Sequence, residues 1–305
     1  MIDRAPRSTL AIAAPPGRLD IGGIAGLDLD SPPRGTCLAS VVIPVRDEQT
    51  TLGACLQALA GQLDLAGRPL APASYEVILL ANNCRDGSAA LARAFAARHP
   101  ELALHVAEIE LPPARSHVGW ARRLLMDVAC RRLERLGRPR GLIATTDADT
   151  RVAPTWLAAT LREVAQGADA VGGRILADPL GVAALEPATR ARYLGDVAYK
   201  LLAAELESLL DPDPGDPWPR HHQHTGASFA LTVEAYRRVD GLPPLPESED
   251  VALFQALRTL GAAFRHSPLV RVVTSARRRR GAVSSSGWRR PGSLSRPCPI
   301  LLPSS

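Results

Sequence analysis

Two aspartates separated by one residue are the sharpest chemical feature of the sequence. Asp147 and Asp149 lie in the segment TTDADT, at the end of the apolar run 141–146. That run predicts a buried strand, and open α/β sheets bind ligands at the carboxyl ends of such strands. Two carboxylates this close repel each other unless a cation lies near them, and Mg²⁺ binds one or two carboxylates together with substrate phosphates. A solvated loop with an Asp helix cap is the alternative, but the position at a strand end favours the cation site.

Two asparagines are expected at the same edge of the sheet. Asn82 and Asn83 follow the apolar run 75–80. Short polar side chains at such a position can pair with the edge of a nucleobase. Asn and Gly also favour ordinary turns, so this segment by itself indicates a turn.

A third carboxylate has the chemistry of a general base. Asp250 ends the segment ESED and begins a helical pattern that runs to Gly261. A carboxylate at a helix N-terminus is stabilised by the helix dipole and stays ionised, as a base near neutral pH must. Simple capping of the helix is the alternative.

Three histidines lie within the segment HHQH at 221–224. Their spacing matches no common zinc motif. We therefore interpret this segment as part of a polar loop that faces an acceptor substrate, in preference to a metal site.

Alternating strands and helices must position these residues. Apolar runs predict strands, and each is followed by a helical pattern, which implies crossover connections and a parallel sheet. The predicted strands are 39–44, 75–80, 102–109, 141–146 and 168–173. The helices between them are predicted at about 51–60, 88–98 (with Asp86 as the N-cap), 118–136 and from Pro154 to Gly167.

The second half of the chain has a different pattern. Apolar residues at helical spacing from Leu194 to Leu210 predict a helix with one apolar stripe, and a Pro-rich polar loop follows. Strands are predicted at 226–232 and 270–274, with the helix from Asp250 between them.

Composition excludes several classes of protein. The chain has 305 residues, of which 46% are hydrophobic and 22% charged, so it is globular rather than disordered. Seven of the 36 basic residues and none of the 31 acidic residues lie in 276–305. The net charge of +5 therefore comes from that segment, which argues against a nucleic-acid partner for the folded body.

No apolar run is long enough to span a membrane, and peripheral membrane contact stays open. Five scattered cysteines indicate a reducing cytoplasm.

Five segments, in order, resemble a family 2 glycosyltransferase of the GT-A fold. They are SVVIPVRDE, YEVILLANNCRDGS, HVGWARRLLMDVA, GLIATTDADTRVAPTWL, and GASFALTVEAYRRVDGLP followed by ESEDVALFQALRTLG. The resemblance implies a Rossmann-like, mostly parallel nucleotide-binding sheet fused to a smaller acceptor-binding half. It also implies metal-dependent, inverting transfer of a sugar from a nucleoside-diphosphate donor to a glycan, lipid-linked or small-molecule hydroxyl.

The resemblance assigns roles to individual residues. Asp149, assisted by Asp147, would hold Mg²⁺ or Mn²⁺ on the donor diphosphate, and Asp250 would be the general base. The remaining nucleotide-binding positions are Pro44 and Glu48 along the pocket, Asn82 at the base, and Arg122 on the diphosphate side. The family often has Asp where this chain has Asn82. An ionised Asp can only accept a hydrogen bond, whereas Asn can both donate and accept one, so the sequence does not identify uridine as the nucleoside of the donor.

Other functions remain open. A sugar-phosphate nucleotidyltransferase would need a Gly-rich, basic loop after the first strand, and PVRDEQT has neither Gly nor Lys. A nicotinamide-dependent oxidoreductase would need GxGxxG after a strand, and the sequence lacks it. A degenerate GT-A protein that binds nucleotide without turnover is the alternative that is not an enzyme.

We expect three segments along the chain. Residues 1–38 form a flexible arm, and residues 39–275 form the GT-A domain, with a nucleotide-sugar half at 39–175 and an acceptor half at 176–275. Residues 276–305 are an Arg-, Ser- and Pro-rich segment for which we expect disorder. The abrupt change in composition at Ala276 indicates a reading-frame change, and a family-like ending that closes over the donor site would then be lost, weakening activity.

Overall fold

The computed structural model describes residue 29 and residues 31–275. The disorder and the frame change expected for 276–305 lie outside the described residues, as does most of the flexible arm expected for 1–38.

A single sheet of eight strands runs through both halves of the domain. The strands are β1 (Ala39–Val45), β2 (Tyr75–Asn82), β3 (Ala103–Ile109), β4 (Leu142–Thr145), β5 (Thr150–Val152), β6 (Ala170–Ala177), β7 (Phe229–Thr232) and β8 (Phe264–Thr274). Their order is β3-β2-β1-β4-β7-β6-β8-β5. The strands β3, β2, β1 and β4 are parallel to one another. The strand β7 is antiparallel to both of its neighbours, β4 and β6. At the far edge, β8 is parallel to β6, and β5 is antiparallel to β8. The mixed α/β class is confirmed, with both predicted halves sharing this one sheet.

Residues 31–275 contain eight α-helices. They are α1 (Leu52–Ala60), α2 (Ser88–Arg98), α3 (Val118–Arg135), α4 (Trp156–Ala165), α5 (Pro179–Ala183), α6 (Pro187–Leu210), α7 (Val233–Arg238) and α8 (Glu249–Thr259). The β1 residues Val41 and Ile43 belong to the core shared with α1, α2 and α4, whereas Val42 belongs to the core shared with α3, α7 and α8. Both faces of the central strands are therefore buried, which explains their continuous apolar runs. None of the helices in 31–275 has the length and apolar character that a membrane crossing requires.

The last part of the predicted arm is an exception to the expected flexibility. Cys37 is buried, and the backbone oxygens of Ser31 and Gly35 accept hydrogen bonds from Arg132 (2.7 Å) and Arg138 (2.9 Å). Residues 31–38 are therefore held against the domain. The prediction of a flexible arm was wrong for this part, because arginines distant in sequence supply its partners.

Two local predictions need correction. The strand β5, only three residues long, was not predicted, since so short a run carries no periodicity. The prediction that Asp86 is the N-cap of α2 was wrong by one residue, because Gly87 is the N-cap. Asp86 accepts a hydrogen bond from the backbone N–H of Ser88 (2.9 Å), so it still satisfies one donor of the first turn.

Candidate active site

The carboxyl ends of β1, β2 and β4 meet at one edge of the sheet. In the parallel register, Pro44 of β1 is opposite Leu80 of β2, and Val42 of β1 is opposite Thr145 of β4. Asn82 ends β2, and Asp147 follows β4 by two residues. Topology thus brings together polar residues that are far apart in the sequence.

A tight turn presents the two aspartates. The backbone oxygen of Asp147 accepts a hydrogen bond from the N–H of Thr150 (3.1 Å), and β5 begins at that residue. Thr150 pairs with Thr274 of β8, and the hydroxyls of both threonines lie 3.4 Å from Oδ1 of Asp149. The β5–β8 pair therefore sets the position of the Asp149 carboxylate.

Asp149 lines a cleft of about 290 Å³. The other lining residues include Thr51, Arg151, Asp178, Gly181 and Thr274. Arg151 and Asp178 form an ion pair across 2.7 Å, so the charges of these two side chains largely compensate each other. The Asp149 carboxylate lies in the cleft beside this pair.

Arg122 joins the aspartate turn to the start of α8. It lies on the buried face of α3, and its side chain is 4% exposed. Its guanidinium donates to Oδ1 of Asp147 (2.7 Å), to Oε1 of Glu249 and to the hydroxyl of Thr145 (3.2 Å). One buried cation thus holds two carboxylates, one in the turn after β4 and one at the start of α8.

Asp250 is fixed beside this cluster by backbone donors. Its Oδ2 accepts a hydrogen bond from the N–H of Gly226 (2.7 Å), and its Oδ1 accepts one from the N–H of Val251 (2.8 Å). A Cβ at Gly226 would lie 2.5 Å from the guanidinium carbon of Arg122. Glycine is therefore required for the backbone to approach Arg122 and still reach Asp250.

Asn82 presents a buried carbonyl at the same edge. The residue is 3% exposed, and no donor in the described part of the chain reaches its Oδ1. Buried polar atoms are nearly always hydrogen-bonded, so this oxygen is available to a ligand or an ordered water. The neighbouring Asn83 instead holds Leu111 by two hydrogen bonds of 3.0 Å, which is a structural role.

The residues predicted along the nucleotide pocket lie in and after β1. Pro44 is half-buried near the end of the strand. Glu48 is buried, accepts a hydrogen bond from the hydroxyl of Thr51 (2.7 Å), and its N–H donates to Ser88 Oγ (2.9 Å). Glu48 thereby connects the turn after β1 to the first residue of α2.

The electrostatic field at the aspartate turn is negative. Burial raises the pKa of the Cys55 thiol, and the charges of Asp147 and Asp149 raise it further. The single charge of Arg122 is shared between two carboxylates, Asp147 and Glu249.

The histidine segment is folded into the domain. Nε2 of His221 lies 3.1 Å from the backbone oxygen of Ser267, and its Nδ1 accepts from the N–H of Gln223 (3.1 Å). The ring of His224 stacks on Phe254 of α8 with centroids 3.7 Å apart. The ring nitrogens of His221 are thus used within the protein, and this loop supports α8 from the side.

Sequence reasoning missed two residues of the site. Glu249 was passed over in favour of its neighbour Asp250, although an arginine on the apolar face of α3 requires a buried acidic partner. Gly226 was expected to begin a strand at 226–232, but residues 226–228 form a 3₁₀ helix and the strand begins at Phe229. The roles of Glu249 and Gly226 become visible only in the structure, where both residues contact the guanidinium of Arg122.

Comparisons with known proteins bear on the family and the fold of the chain. The profile of glycosyl transferase family 2 matches residues 40–210, more than half of the chain. No curated protein matches the sequence at a significant level. Among solved structures, the mannosyltransferase PcManGT from Pyrobaculum calidifontis, in complex with GDP-Man and Mn²⁺, has a TM-score of 0.52 and 19% identity, over 83% of this chain and 61% of that one.

Two further structures have the same fold. S. aureus TarS 1-349, in complex with UDP-GlcNAc, has a TM-score of 0.53 and 14% identity, over 82% of this chain and 61% of that one. GalNAc-T7, with UDP, GalNAc and Mn²⁺, has a TM-score of 0.52 and 14% identity, over 79% of this chain and 44% of that one. The chain thus spans less than two thirds of each of these three structures. The matched profile and the shared architecture identify the chain as a member of glycosyl transferase family 2 with the GT-A fold.

Proposed function

We propose that the chain transfers a sugar from a nucleoside-diphosphate donor to an acceptor hydroxyl, with inversion at the anomeric carbon. The main support for this proposal is the set of hydrogen bonds that Arg122 donates. Through Arg122, the aspartate turn after β4 and the carboxylates that begin α8 form a single site. The proposal therefore unites a diphosphate-binding element and a general base, which are the two parts that sugar transfer requires.

The donor set of the aspartate turn suits a hard divalent cation. Asp149 and Asp147 offer carboxylate oxygens in a field that is already negative, and Mg²⁺ and Mn²⁺ prefer such ligands. We propose that Asp149 holds the ion, with Asp147 fixed beside it by Arg122. The ion would neutralise charge on the departing nucleoside diphosphate. PcManGT and GalNAc-T7, both solved with Mn²⁺, support this assignment.

We assign Asn82 to recognition of the donor base. Its unsatisfied Oδ1 can accept a hydrogen bond from a ring N–H of the base, while its amide N–H₂ can donate to a neighbouring carbonyl. Pro44 and Glu48 would line the same pocket. Uracil and guanine both offer a ring N–H beside a carbonyl. UDP- and GDP-sugars, which occur in the similar structures, are therefore the donors to test.

Asp250 is the proposed general base. As the acceptor oxygen attacks the anomeric carbon, its proton passes to the Asp250 carboxylate and the bond from that carbon to the donor phosphate oxygen breaks. Backbone N–H groups of Gly226 and Val251 hold the carboxylate in one orientation, which favours proton transfer along a fixed direction. Catalysis of this kind contributes about 10²–10⁴-fold to a rate.

Arg122 acts in this scheme as a positioning residue. All three of its guanidinium nitrogens donate to protein oxygens, so a direct contact with the diphosphate, which the resemblance implied, is not part of the proposal. We also propose the cytoplasm as the compartment, where nucleotide sugars would be available to the enzyme.

A panel of nucleoside diphosphates, with and without Mn²⁺, tests the proposal. We expect one diphosphate to raise the melting temperature only when Mn²⁺ is present, since a ligand that binds the native state alone stabilises it. The matching nucleotide sugar should then be hydrolysed or transferred, with release of the diphosphate. Binding without any turnover would favour the degenerate transferase, and the absence of any Mn²⁺-dependent binding would contradict the proposal.

A further inference from the structure

Arg174 of β6 is a half-buried cation whose charge is not paired within the protein. Its guanidinium makes no hydrogen bond, ion pair or ring contact with the part of the chain that the structure describes. Every other described arginine that is not exposed has at least one such contact, as Arg122 and Arg132 do. Partial burial removes water from a charged group, and such groups are normally paired. The charge of Arg174 is therefore available to a bound ligand.

The side chain of Arg174 lies on the α8 face of the sheet. Side chains alternate along a strand, and the next residue, Ile175, packs against the core shared with α1, α2 and α4. A Cβ at Gly172 would instead contact Phe264, which belongs to the core shared with α8. Arg174 shares the orientation of Gly172, so it is on the side of the sheet where the proposed base Asp250 begins α8.

The histidine segment runs along β6 beside Arg174. The side-chain amide of Gln223 pairs with both backbone groups of Ile175, at 2.8 and 2.9 Å. The backbone oxygen of Gln223 lies 2.5 Å from the Cβ position of Gly172. The preceding residue is His222, whose Nδ1 is buried and has no hydrogen-bond partner in the described chain. Unused polar atoms of Arg174 and His222 thus come from two neighbouring segments.

The electrostatics of His222 show that positive charge lies near its ring. Burial lowers the pKa of His222, and the positive charges of Lys200 and Arg174 contribute to this shift. Lys200 of α6 is paired with Asp196 across 2.9 Å, whereas Arg174 has no such partner among the described residues. A neutral ring with its proton on Nδ1 can donate a hydrogen bond to an anion.

The proposed base is close to this position. Four residues separate His222 from Gly226, whose N–H donates to Asp250, and four residues of chain span at most about 14 Å. An acceptor that is held at Arg174 through one group can therefore present a hydroxyl to the Asp250 carboxylate.

We propose that Arg174 and His222 bind an anionic group of the acceptor, a phosphate or a carboxylate, while a hydroxyl of the acceptor reaches Asp250. The planar guanidinium offers paired N–H donors that match either oxyanion. Arg174 does not line the cleft at Asp149, so we assign the anion to the acceptor rather than to the donor diphosphate. The inference rests on the proposed function where it identifies the ligand as an acceptor, whereas the anion site itself does not depend on it.

Thermal unfolding in phosphate or in acetate, compared with chloride at equal ionic strength and without Mn²⁺, tests the anion site. We expect at least one of the two oxyanions to raise the Tm of the wild type, since it binds the native state. Arg174→Gln should weaken this binding on the order of 10- to 100-fold, and Arg174→Lys should keep part of it. The control is Arg192→Gln, which changes an exposed arginine of α6 and should leave the response intact.

Folding and donor binding separate this inference from a general loss of function. Because Arg174 has no partner in the described chain, Arg174→Gln should keep the wild-type Tm in chloride. Its Mn²⁺-dependent affinity for the nucleoside diphosphate should also equal that of the wild type. A parallel loss of diphosphate affinity would place Arg174 in the donor site and overturn the acceptor assignment.

Equal responses of the wild type and Arg174→Gln to both oxyanions, including no response in either, would overturn the anion site. A wild type that binds no nucleoside diphosphate but responds to an oxyanion through Arg174 would contradict the proposed function and support the anion site.

Discussion

Arg122 in α3 donates a 2.7 Å hydrogen bond to Asp147, the first aspartate after β4, and both side chains lie at the edge where the proposed donor would bind. The same guanidinium contacts Glu249, the residue before the proposed base. The position of Asp147 and the start of α8 are therefore coupled through one buried charge.

Removing the Arg122 charge should destabilise the fold. In the variant Arg122→Met, Asp147 loses its arginine partner, and Glu249 becomes a buried carboxylate with no positive charge beside it. Breaking a buried ion pair lowers the free energy of unfolding by about 3–5 kcal/mol. Urea unfolding would measure this loss. The matched control is Arg237→Met, which breaks the half-exposed pair between Arg237 and Glu134 and should cost no more than about 1 kcal/mol. Equal losses in the two variants would contradict the coupling.

Gly226→Ala should disturb the same cluster from the other side. The added Cβ would lie 2.5 Å from the guanidinium carbon of Arg122, which its carboxylate partners hold in place. We expect a loss of stability on the order of 2 kcal/mol and a fall in transfer rate. Gly53→Ala in α1 is the control, since no atom lies within 4 Å of its Cβ position. It should leave stability unchanged or raise it slightly.

Asp149→Asn should abolish the Mn²⁺-dependent part of nucleotide affinity. The substitution keeps the shape of the side chain and removes the charge that would hold the cation. Isothermal titration with and without Mn²⁺ measures the effect. Asp178→Asn, in the same cleft but paired with Arg151, should keep the metal dependence. Undiminished metal dependence in the Asp149→Asn variant would disprove the assignment.

Asp250→Asn should separate binding from chemistry. The amide oxygen can still accept a hydrogen bond from Gly226, so donor affinity should survive, while the transfer rate falls by about 10²-fold or more. Glu247→Gln, an exposed change three residues earlier, serves as the control. Near-normal transfer by the Asp250 variant would mean that a different group accepts the proton.

Stability should fall as the pH decreases below about 6.5. Burial, together with the charge of His266, lowers the pKa of His221 to about 3 and that of His224 to about 4. The unfolded chain binds these two protons near pH 6.5 and the folded chain does not, so the contribution of the two histidines to stability is complete above that pH and is lost below it. Between about pH 6.5 and pH 4, each histidine should remove up to roughly 1.4 kcal/mol per pH unit.

Urea unfolding at about pH 7.5 and pH 5 checks this dependence. The variant H221Q/H224Q should show a flatter pH dependence than the wild type. Identical stability of the wild type at the two pH values would refute the role of these histidines.

The sequence by itself determined the elements whose signals are local. The runs that became β1 and β2 are rich in apolar residues because both faces of each strand are buried. The helices α2 and α3 agree with their predicted bounds within one residue. The aspartates after β4 were identified in the same way, because a polar pair at the end of a buried strand is visible in a short window.

Only the tertiary structure decided which distant groups meet. Arg122 is separated by 25 residues from Asp147 and by 127 from Glu249, and no periodicity connects positions so far apart. The strand β5 exists because β8 offers it a partner, and that pairing positions Asp149. Burial of a charge also depends on what surrounds it, so the partners of Arg122 could be found only when the sheet order brought β4, β7 and α8 together.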